Sequence, residues 1–264
     1  MKLRTEKIVA RKDGATGWIL FNQPQRHNAV SLEMWGGLHE ALDAFAGDAE
    51  VRVVVLHGAG GKAFVSGADI SEFEDKRSSG PTIADYDARA QAASRALREI
   101  GKPTLAMIDG WCMGAGVAIA LCCDLRIASE PSRFAVPAAR LGLGYEFEGV
   151  RRLVDVVGPA YAKEIFYTAR QFSAQEALAM GLVNRVVPAA DLEADVREYA
   201  STIAQNAPLT VASIKTLVAQ ALEDPARRDE ALCREVVARC FASEDYAEGR
   251  RAFMEKRKPR FQGR

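Results

Sequence analysis

The amino-acid sequence predicts an α/β fold. Segments typical of buried strands alternate with segments of helical periodicity through the first half of the 264-residue chain, a progression typical of a parallel sheet. From about residue 149 onward the pattern is helical, and the composition shifts near residue 190. We therefore predict an α/β core over residues 1–190 and a helical region over residues 191–264.

The first predicted elements are a hairpin, a helix and a buried strand. Residues 18–21 (WILF) follow an Asp13-Gly14 turn signal, which predicts an antiparallel hairpin. Ser31 is predicted to cap a helix with apolar residues at helical spacing, and residues 51–56 (VRVVVL) are predicted to form a strand. A polar stretch around residues 77–81 is of the kind that forms mobile lids, and it precedes a second helix ending near residue 100.

The remaining elements complete this alternation and then become helical. Residues 103–109 (PTLAMID) are predicted to form a strand that Gly110 ends, and Gly114 and Gly116 open an apolar helix. Short strands are predicted at residues 125–128 and from residue 134. Helices are predicted at 151–157, 160–168 and 174–179, with three longer ones beginning at Asp191, Pro208 and Asp224.

Charge and cysteine content exclude several classes of protein. With 35 basic and 35 acidic residues, the chain has no global field to attract nucleic acid or an anionic membrane. Five cysteines without a C-x-x-C pair favour reduced thiols over disulfides or zinc, and no segment approaches the ~20 apolar residues of a membrane span. We expect a cytoplasmic protein that binds neither nucleic acid nor membrane.

Two glycine turns carry the clearest chemical signal. They lie in residues 62–73 (KAFVSGADISEF) and 111–120 (WCMGAGVAIA), and each precedes a predicted helix. The first N–H groups of a helix have no partner inside it. If the fold brings the turns together, one N–H from each would hold a developing oxyanion, reinforced by the helix dipole. Such an arrangement polarises a thioester carbonyl.

Five segments in a characteristic order extend this signal over nearly the whole chain. They are residues 25–30 (QRHNAV), 63–70 (AFVSGADI), 109–116 (DGWCMGAG), 123–124 (CD) and 172–184 (FSAQEALAMGLVN). Together they resemble the crotonase (enoyl-CoA hydratase/isomerase) superfamily. The resemblance implies a spiral of ββα units followed by a C-terminal helical trimerisation region. It also implies an acyl-CoA substrate, a homotrimer or dimer of trimers, and no metal or cofactor beyond the CoA moiety.

The same resemblance implies the site residues. It makes the N–H groups of Ala68 and Ala115 the oxyanion donors, and it places CoA near Ser66 and Ile70, with Arg26 close to the phosphates. A solvated loop cation is an equally open interpretation of Arg26.

The basic tail also has a counterpart in the family. Residues 253–260 (FMEKRKPR) are similar to a C-terminal segment whose Phe and Lys close over CoA, often from a neighbouring subunit. Phe253 and Lys256 are therefore predicted to contact CoA. The alternative is a charged, frayed terminus.

Two positions depart from the family pattern. Hydratases of this family carry glutamates where this chain has Ala118 and Ala138. Alanine cannot activate water, and a positioned acid–base group typically contributes ~10²–10⁴-fold to the rate. Ordinary hydration of a 2-enoyl-CoA is therefore expected to be crippled.

Substitute groups are predicted nearby. Glu146 stands where dienoyl-CoA isomerases and chlorobenzoyl-CoA dehalogenases carry a catalytic Asp, and Tyr145 stands where the methylmalonyl-CoA decarboxylase branch has a Tyr. That branch has a His at the place of Ala68, so its pattern is matched only in part. A desolvated carboxylate there would suit proton transfer. The alternatives are a solvated acid at a helix N-terminus for Glu146 and a packing role for Tyr145.

Two hypotheses for function follow. The first is an acyl-CoA thioester enzyme that stabilises an enolate-type oxyanion and carries out isomerisation, decarboxylation or other lyase chemistry rather than standard hydration. The second is a non-catalytic acyl-CoA-binding or scaffold protein that kept the fold.

Overall fold

The computed structural model describes residues 1–69 and 80–264. Its strands form two sheets. They are β1 Ile8–Asp13, β2 Thr16–Phe21, β3 Val53–Gly58, β4 Ala63–Val65, β5 Thr104–Ile108, β6 Trp111–Met113, β7 Leu125–Ser129, β8 Arg133–Ala135, β9 Phe172–Ser173 and β10 Arg185–Val187. The larger sheet has the order β1-β2-β3-β5-β7-β10, and the smaller has the order β4-β6-β8-β9.

The helices follow the order of the sequence prediction in most of the chain. They are α1 Leu32–Gly47, α2 Gly80–Glu99, α3 Ala115–Cys122, α4 Phe147–Thr168, α5 Ala174–Ala179, α6 Leu192–Ala204, α7 Pro208–Ala221, α8 Glu230–Phe241 and α9 Glu244–Met254. The predicted lid around residues 77–81 lies largely outside the described residues.

The large sheet is covered on both faces. Its strands are parallel except for the β1–β2 hairpin, which pairs Ile8 with Phe21 and confirms the predicted turn. Successive residues of β3 alternate between two cores: Val54 packs with α1, and Val55 packs with α6. This double coverage explains why residues 53–56 (VVVL) form a continuous apolar run.

The chain passes from one sheet to the other at glycines. Gly58 is the last residue of β3, and Gly110 lies between β5 and β6. A Cβ on Gly58 would collide with the carbonyl oxygen of Ala63, and one on Gly110 with that of Lys62. Each crossing is followed by a helix, so strands of the large sheet, strands of the small sheet and helices repeat in that order. The predicted spiral of ββα units is present.

Two predictions of elements need correction. Residues 111–113 form strand β6, whereas the sequence pattern places them in the glycine turn. The predicted division between helices at 151–157 and 160–168 is confirmed, because Gly158 within α4 has a non-helical backbone (φ 75°, ψ 166°) and Pro159 follows it.

The second correction concerns the helix predicted to begin at Asp224. The chain there forms a short 3₁₀ turn and then α8 and α9. The Asp229 carboxylate caps α8 by accepting from Leu232 N, and the Ser243 hydroxyl caps α9 by accepting from Tyr246 N. Two additional N-caps therefore divide what helical periodicity alone predicted as one helix.

His57 on β3 gives the fold a pH-dependent stability. Its Nε2 is buried with no hydrogen-bond partner in the part of the chain that the structure describes, and its ring meets the Trp18 ring edge-on at 5.5 Å. Burial, with the charge of Arg11 acting in the same direction, lowers the pKa of His57 from 6.5 to about 4. Between these pH values the unfolded chain binds a proton that the folded chain does not. This contribution to stability is therefore lost as the pH falls from 6.5 to 4.

We expect His57→Met to flatten the pH dependence of the unfolding free energy in this window by up to about 3 kcal/mol. Denaturant unfolding followed by tryptophan fluorescence at several pH values measures it. Val55→Ala removes buried volume from the same core but changes no titrating group. It should lower the unfolding free energy by about 2 kcal/mol at every pH. If the unfolding free energy of His57→Met depended on pH in the same way as that of the wild type, His57 would not be the source of the pH dependence.

The crossing at Gly110 should tolerate no side chain. Gly110 and Gly14 both have positive φ, 72° and 56°, but a Cβ on Gly14 meets no atom within 4 Å. Gly14→Ala should therefore cost only the backbone strain of about 1 kcal/mol, whereas Gly110→Ala adds the collision with Lys62 and should cost about 3 kcal/mol or more. Comparison of denaturation midpoints tests this, and equal losses would refute the steric explanation.

Candidate active site

The two glycine turns lie in contact. Strands β4 and β6 are neighbours in the small sheet, so the turns that follow them begin side by side. A Cβ placed on Gly114 would lie 3.9 Å from the Cα of Gly67, and one on Gly67 would lie 3.8 Å from the carbonyl oxygen of Met113. The fold therefore makes the approach that the two-donor hypothesis requires.

The first turn presents the N–H of Ala68. Val30 N donates to Gly67 O at 2.8 Å, and Asp69 N donates to Val30 O at 3.0 Å. Since backbone groups alternate along an extended segment, the N–H of Ala68 is directed away from Val30. Among the described residues it donates no hydrogen bond. It is therefore open to an external acceptor.

The second turn presents the N–H of Ala115, the first residue of α3. Within residues 1–69 and 80–264 this N–H also has no acceptor. Gly114 at φ 49° shapes the turn, and Gly116 lets α3 pack directly on the carbonyl oxygen of Val65, where a Cβ would collide. Two half-buried main-chain donors, one at a helix N-terminus, are suited to an oxygen that gains negative charge.

Two alanines lie close to the second turn. Ala118 is one helical turn beyond Gly114 and donates its N–H to Gly114 O at 3.1 Å. Gly114 N donates to Ala135 O at 2.9 Å, which brings the end of β8 and the following 3₁₀ turn Pro137–Leu141 to the same place. Ala138 in that turn is buried. Neither alanine supplies a titratable group.

Glu146 and Tyr145 lie farther along the same segment. Leu143 N donates to Ala138 O at 3.0 Å, and Glu146 is the exposed N-cap residue of α4. The Tyr145 ring packs edge-on against Phe166 at 4.8 Å, and burial raises the pKa of its phenol. These positions fit the two structural alternatives, a helix-terminal acid and a packing aromatic. Their roles in catalysis stay predictions.

The residues predicted near CoA in the first turn come together. Ser66 N donates to His27 O at 3.1 Å, and Ser66 Oγ donates to Arg26 O at 3.4 Å. Arg26 itself pairs with Asp69, the residue after Ala68. Ile70 lies outside the described residues.

The basic tail is anchored to the body of the protein. Arg52 Nη2 donates to Phe261 O at 2.7 Å, and the Asp245 carboxylate accepts from the N–H groups of Gln262 and Gly263 at 2.6 and 2.8 Å. The Phe253 side chain is 82% exposed, and Lys256 has a left-handed φ of 54°. Their predicted contact with CoA stays a prediction.

Two residues near the first turn are not among the predicted site residues. Asp69 is buried beside Ala68. His27 packs its ring against that of Trp111, with the ring centroids 5.0 Å apart. The segment 63–70 already indicates a role for Asp69, because an acidic side chain directly after the proposed donor Ala68 can anchor the turn that carries this donor. No sequence pattern predicts the His27–Trp111 contact.

The described residues show neither a metal site, nor a membrane-spanning helix, nor a reactive thiol at Cys112 or Cys123. There, no group of three His, Cys, Asp or Glu side chains is arranged for a metal ion, and no helix combines the length and apolar character needed to cross a membrane. Cys112 and Cys123 are buried, and burial raises the pKa of both thiols, so they are poor nucleophiles.

Comparisons with known proteins identify the family of this chain. The family model described as enoyl-CoA hydratase/isomerase matches residues 11–264. The chain is 34% identical to a short-chain-enoyl-CoA hydratase of Clostridium acetobutylicum, with 97% of each chain covered. It is 35% identical to a carnitinyl-CoA dehydratase of Proteus mirabilis, with 93% and 94% covered. A crystal structure of an enoyl-CoA hydratase/carnithine racemase from Magnetospirillum magneticum superposes with a TM-score of 0.94 at 37% identity, covering 99% of this chain and 97% of that one. This chain therefore belongs to the enoyl-CoA hydratase/isomerase family, within the crotonase superfamily.

Proposed function

We propose that this protein stabilises an enolate-type oxyanion of an acyl-CoA thioester with the N–H groups of Ala68 and Ala115. The observation that carries the proposal is the contact between the two glycine turns, each with a main-chain donor that has no acceptor among the described residues. Removal of a proton or of CO₂ from the α-carbon places negative charge on the thioester oxygen. One such donor is typically worth about 3–4 kcal/mol in the transition state.

The reaction class follows from the side chains around the donors. Hydration needs a group that activates water, and the two positions where hydratases of the family carry glutamates hold Ala118 and Ala138 in this chain. We therefore favour isomerisation, decarboxylation or another lyase reaction, although the relatives named above are called hydratase and dehydratase. An enolate formed in these reactions needs oxyanion stabilisation but no activated water.

Proton transfer is assigned to Glu146, assisted by Tyr145. Both lie in the segment that leaves the 3₁₀ turn beside Gly114 and enters α4. Leu143 and Phe147 on either side are 48% and 72% exposed. A bound acyl group that covers these apolar side chains would also desolvate the carboxylate, which favours proton transfer near neutral pH.

The remaining assignments concern CoA and assembly. Ser66 and Ile70 are proposed to contact CoA from the first turn, Arg26 from the adjacent loop of residues 23–30, and Phe253 and Lys256 from the tail. A homotrimer or dimer of trimers is supported by the exposed apolar side chains of the C-terminal helices. These include Ile214, Val218, Leu222 and Phe241, each more than half exposed.

The alternative is a non-catalytic acyl-CoA-binding or scaffold protein. It is favoured by the absence of a titratable side chain at Ala118 and Ala138, beside the second turn. Tight binding of CoA thioesters with no turnover of enoyl-, dienoyl- or malonyl-type substrates would support it over the enzyme.

The donor assignment is tested by Ala115→Pro. Proline is compatible with the first position of a helix, and its ring replaces the N–H hydrogen with a carbon atom that cannot donate. We expect kcat to fall ~10²–10³-fold. Ala115→Ser keeps the N–H and should stay within a few-fold of wild type. Circular dichroism and unfolding midpoints identify a variant that fails through misfolding, and a folded Ala115→Pro enzyme of full activity would exclude this donor.

The acid–base assignment is tested by Glu146→Gln on the same substrate panel. If Glu146 transfers the proton, kcat should fall ~10²–10⁴-fold while KM changes little. Glu148→Gln is the matched control, since Glu148 is an exposed acid in the first turn of the same helix. An active enzyme that is indifferent to Glu146→Gln removes this residue from the mechanism.

A further inference from the structure

The carboxylate of Asp69 is buried immediately beside the proposed donor Ala68. Its side chain is 8% exposed, and a charge so placed needs partners. Arg26 Nη1 lies 2.9 Å from both Oδ1 and Oδ2, and Gln23 Nε2 donates to Oδ2 at 3.3 Å. The Asp69 side chain therefore anchors the first glycine turn to the loop of residues 23–30.

That loop is itself held rigidly. The Asn28 side chain is fully buried, donates to the carbonyl oxygens of Ala59 and Ala63 at 3.0 and 2.7 Å, and accepts from Gln23 N at 3.0 Å. Arg26 is thus presented from a loop that is bonded to the beginning of β4. The Arg26–Asp69 ion pair therefore completes a closed path of contacts that runs from β4 through the loop to the turn that follows β4.

The glycine in this turn explains why such an anchor is useful. Gly67 has φ 132°, in a region open to glycine, so its own backbone does not fix the plane of the Gly67–Ala68 peptide. The strength of an N–H donor falls steeply when the N–H···O angle departs from linearity. The hydrogen bond from Val30 N to Gly67 O holds the near side of Ala68, and on the far side the side-chain anchor of Asp69 reinforces the hydrogen bond from Asp69 N to Val30 O.

We propose that Arg26 and Asp69 form a positioning pair that sets the direction of the Ala68 N–H toward the thioester oxygen. This inference rests on the proposed function, since it assumes that Ala68 is an oxyanion donor. It gives Arg26 a role at the thioester end of the substrate rather than at the phosphates of CoA. A phosphate ligand and a positioning residue affect different halves of the substrate, so the two roles can be separated.

The experiment uses 4-(dimethylamino)cinnamoyl thioesters of CoA and of pantetheine, the second of which lacks the nucleotide and its phosphates. The absorption of this chromophore moves to longer wavelength when its carbonyl is polarised, so it reports the oxyanion donors without turnover. Binding is measured separately by calorimetry. The variants are Arg26→Gln, Arg26→Lys, Asp69→Asn and the double variant Arg26→Gln/Asp69→Asn. Arg185→Gln is the control, because Arg185 is also 51% exposed and paired with an acid, Asp195, in another part of the fold.

We expect a red shift on the wild type that falls by at least half in Arg26→Gln and Asp69→Asn, equally for both thioesters. Arg26→Lys should keep most of it, because a single nitrogen makes both contacts and an ammonium group can replace it. Arg185→Gln should match wild type. The double variant should lose no more than Asp69→Asn, as expected for residues that act as a unit. It also removes both charges of the pair, so it provides a second sample if a single variant unfolds.

Two results would overturn the inference in distinguishable ways. A full red shift in Arg26→Gln, with an affinity loss confined to the CoA thioester, would make Arg26 a phosphate ligand and leave the proposed function intact. A probe that binds wild type with no red shift would remove the oxyanion donors and, with them, the positioning role.

Discussion

The pairing of β4 with β6 is the interaction on which the site depends. These three-residue strands run parallel in the small sheet, and each ends in a glycine turn. A shift in their register would separate Gly67 from Gly114 and direct the N–H groups of Ala68 and Ala115 to different places. The large sheet, its two apolar cores and the crossing glycines hold these short strands in register, because three residues alone bury too little surface to do so.

The proposed site is built from two kinds of component with different physical requirements. The proposed donors are main-chain groups, which need only a fixed backbone and close approach. The groups proposed to move protons are side chains on the loop that leads into α4, an exposed segment that can vary without disturbing the sheets. Because the two components are separate, a substitution such as alanine at positions 118 and 138 leaves the fold and the main-chain donors in place.

Much of the fold was predictable because its signals are local. The Asp13-Gly14 turn, the Ser31 cap and the alternation of strand and helix all act within a few residues, and the structure confirms them. Strand β6 was missed because three residues before a glycine turn carry no periodicity. The predicted helix from Asp224 was wrong because the caps at Asp229 and Ser243 outweigh continuous helical spacing. The Arg26–Asp69 pair joins residues 43 positions apart, which no local pattern specifies.

The two crossing glycines also determine how the ββα units relate to one another. Gly58 and Gly110 belong to successive units, yet they press against the adjacent carbonyl groups of Ala63 and Lys62. In solenoid proteins each stacked repeat contacts only its neighbours, and folding can begin in one repeat and spread to the next. Here the backbone of one unit packs directly against a glycine of the next unit, so the units are expected to unfold together. Both donors should therefore form in a single cooperative step, with no partly folded state that presents only one of them.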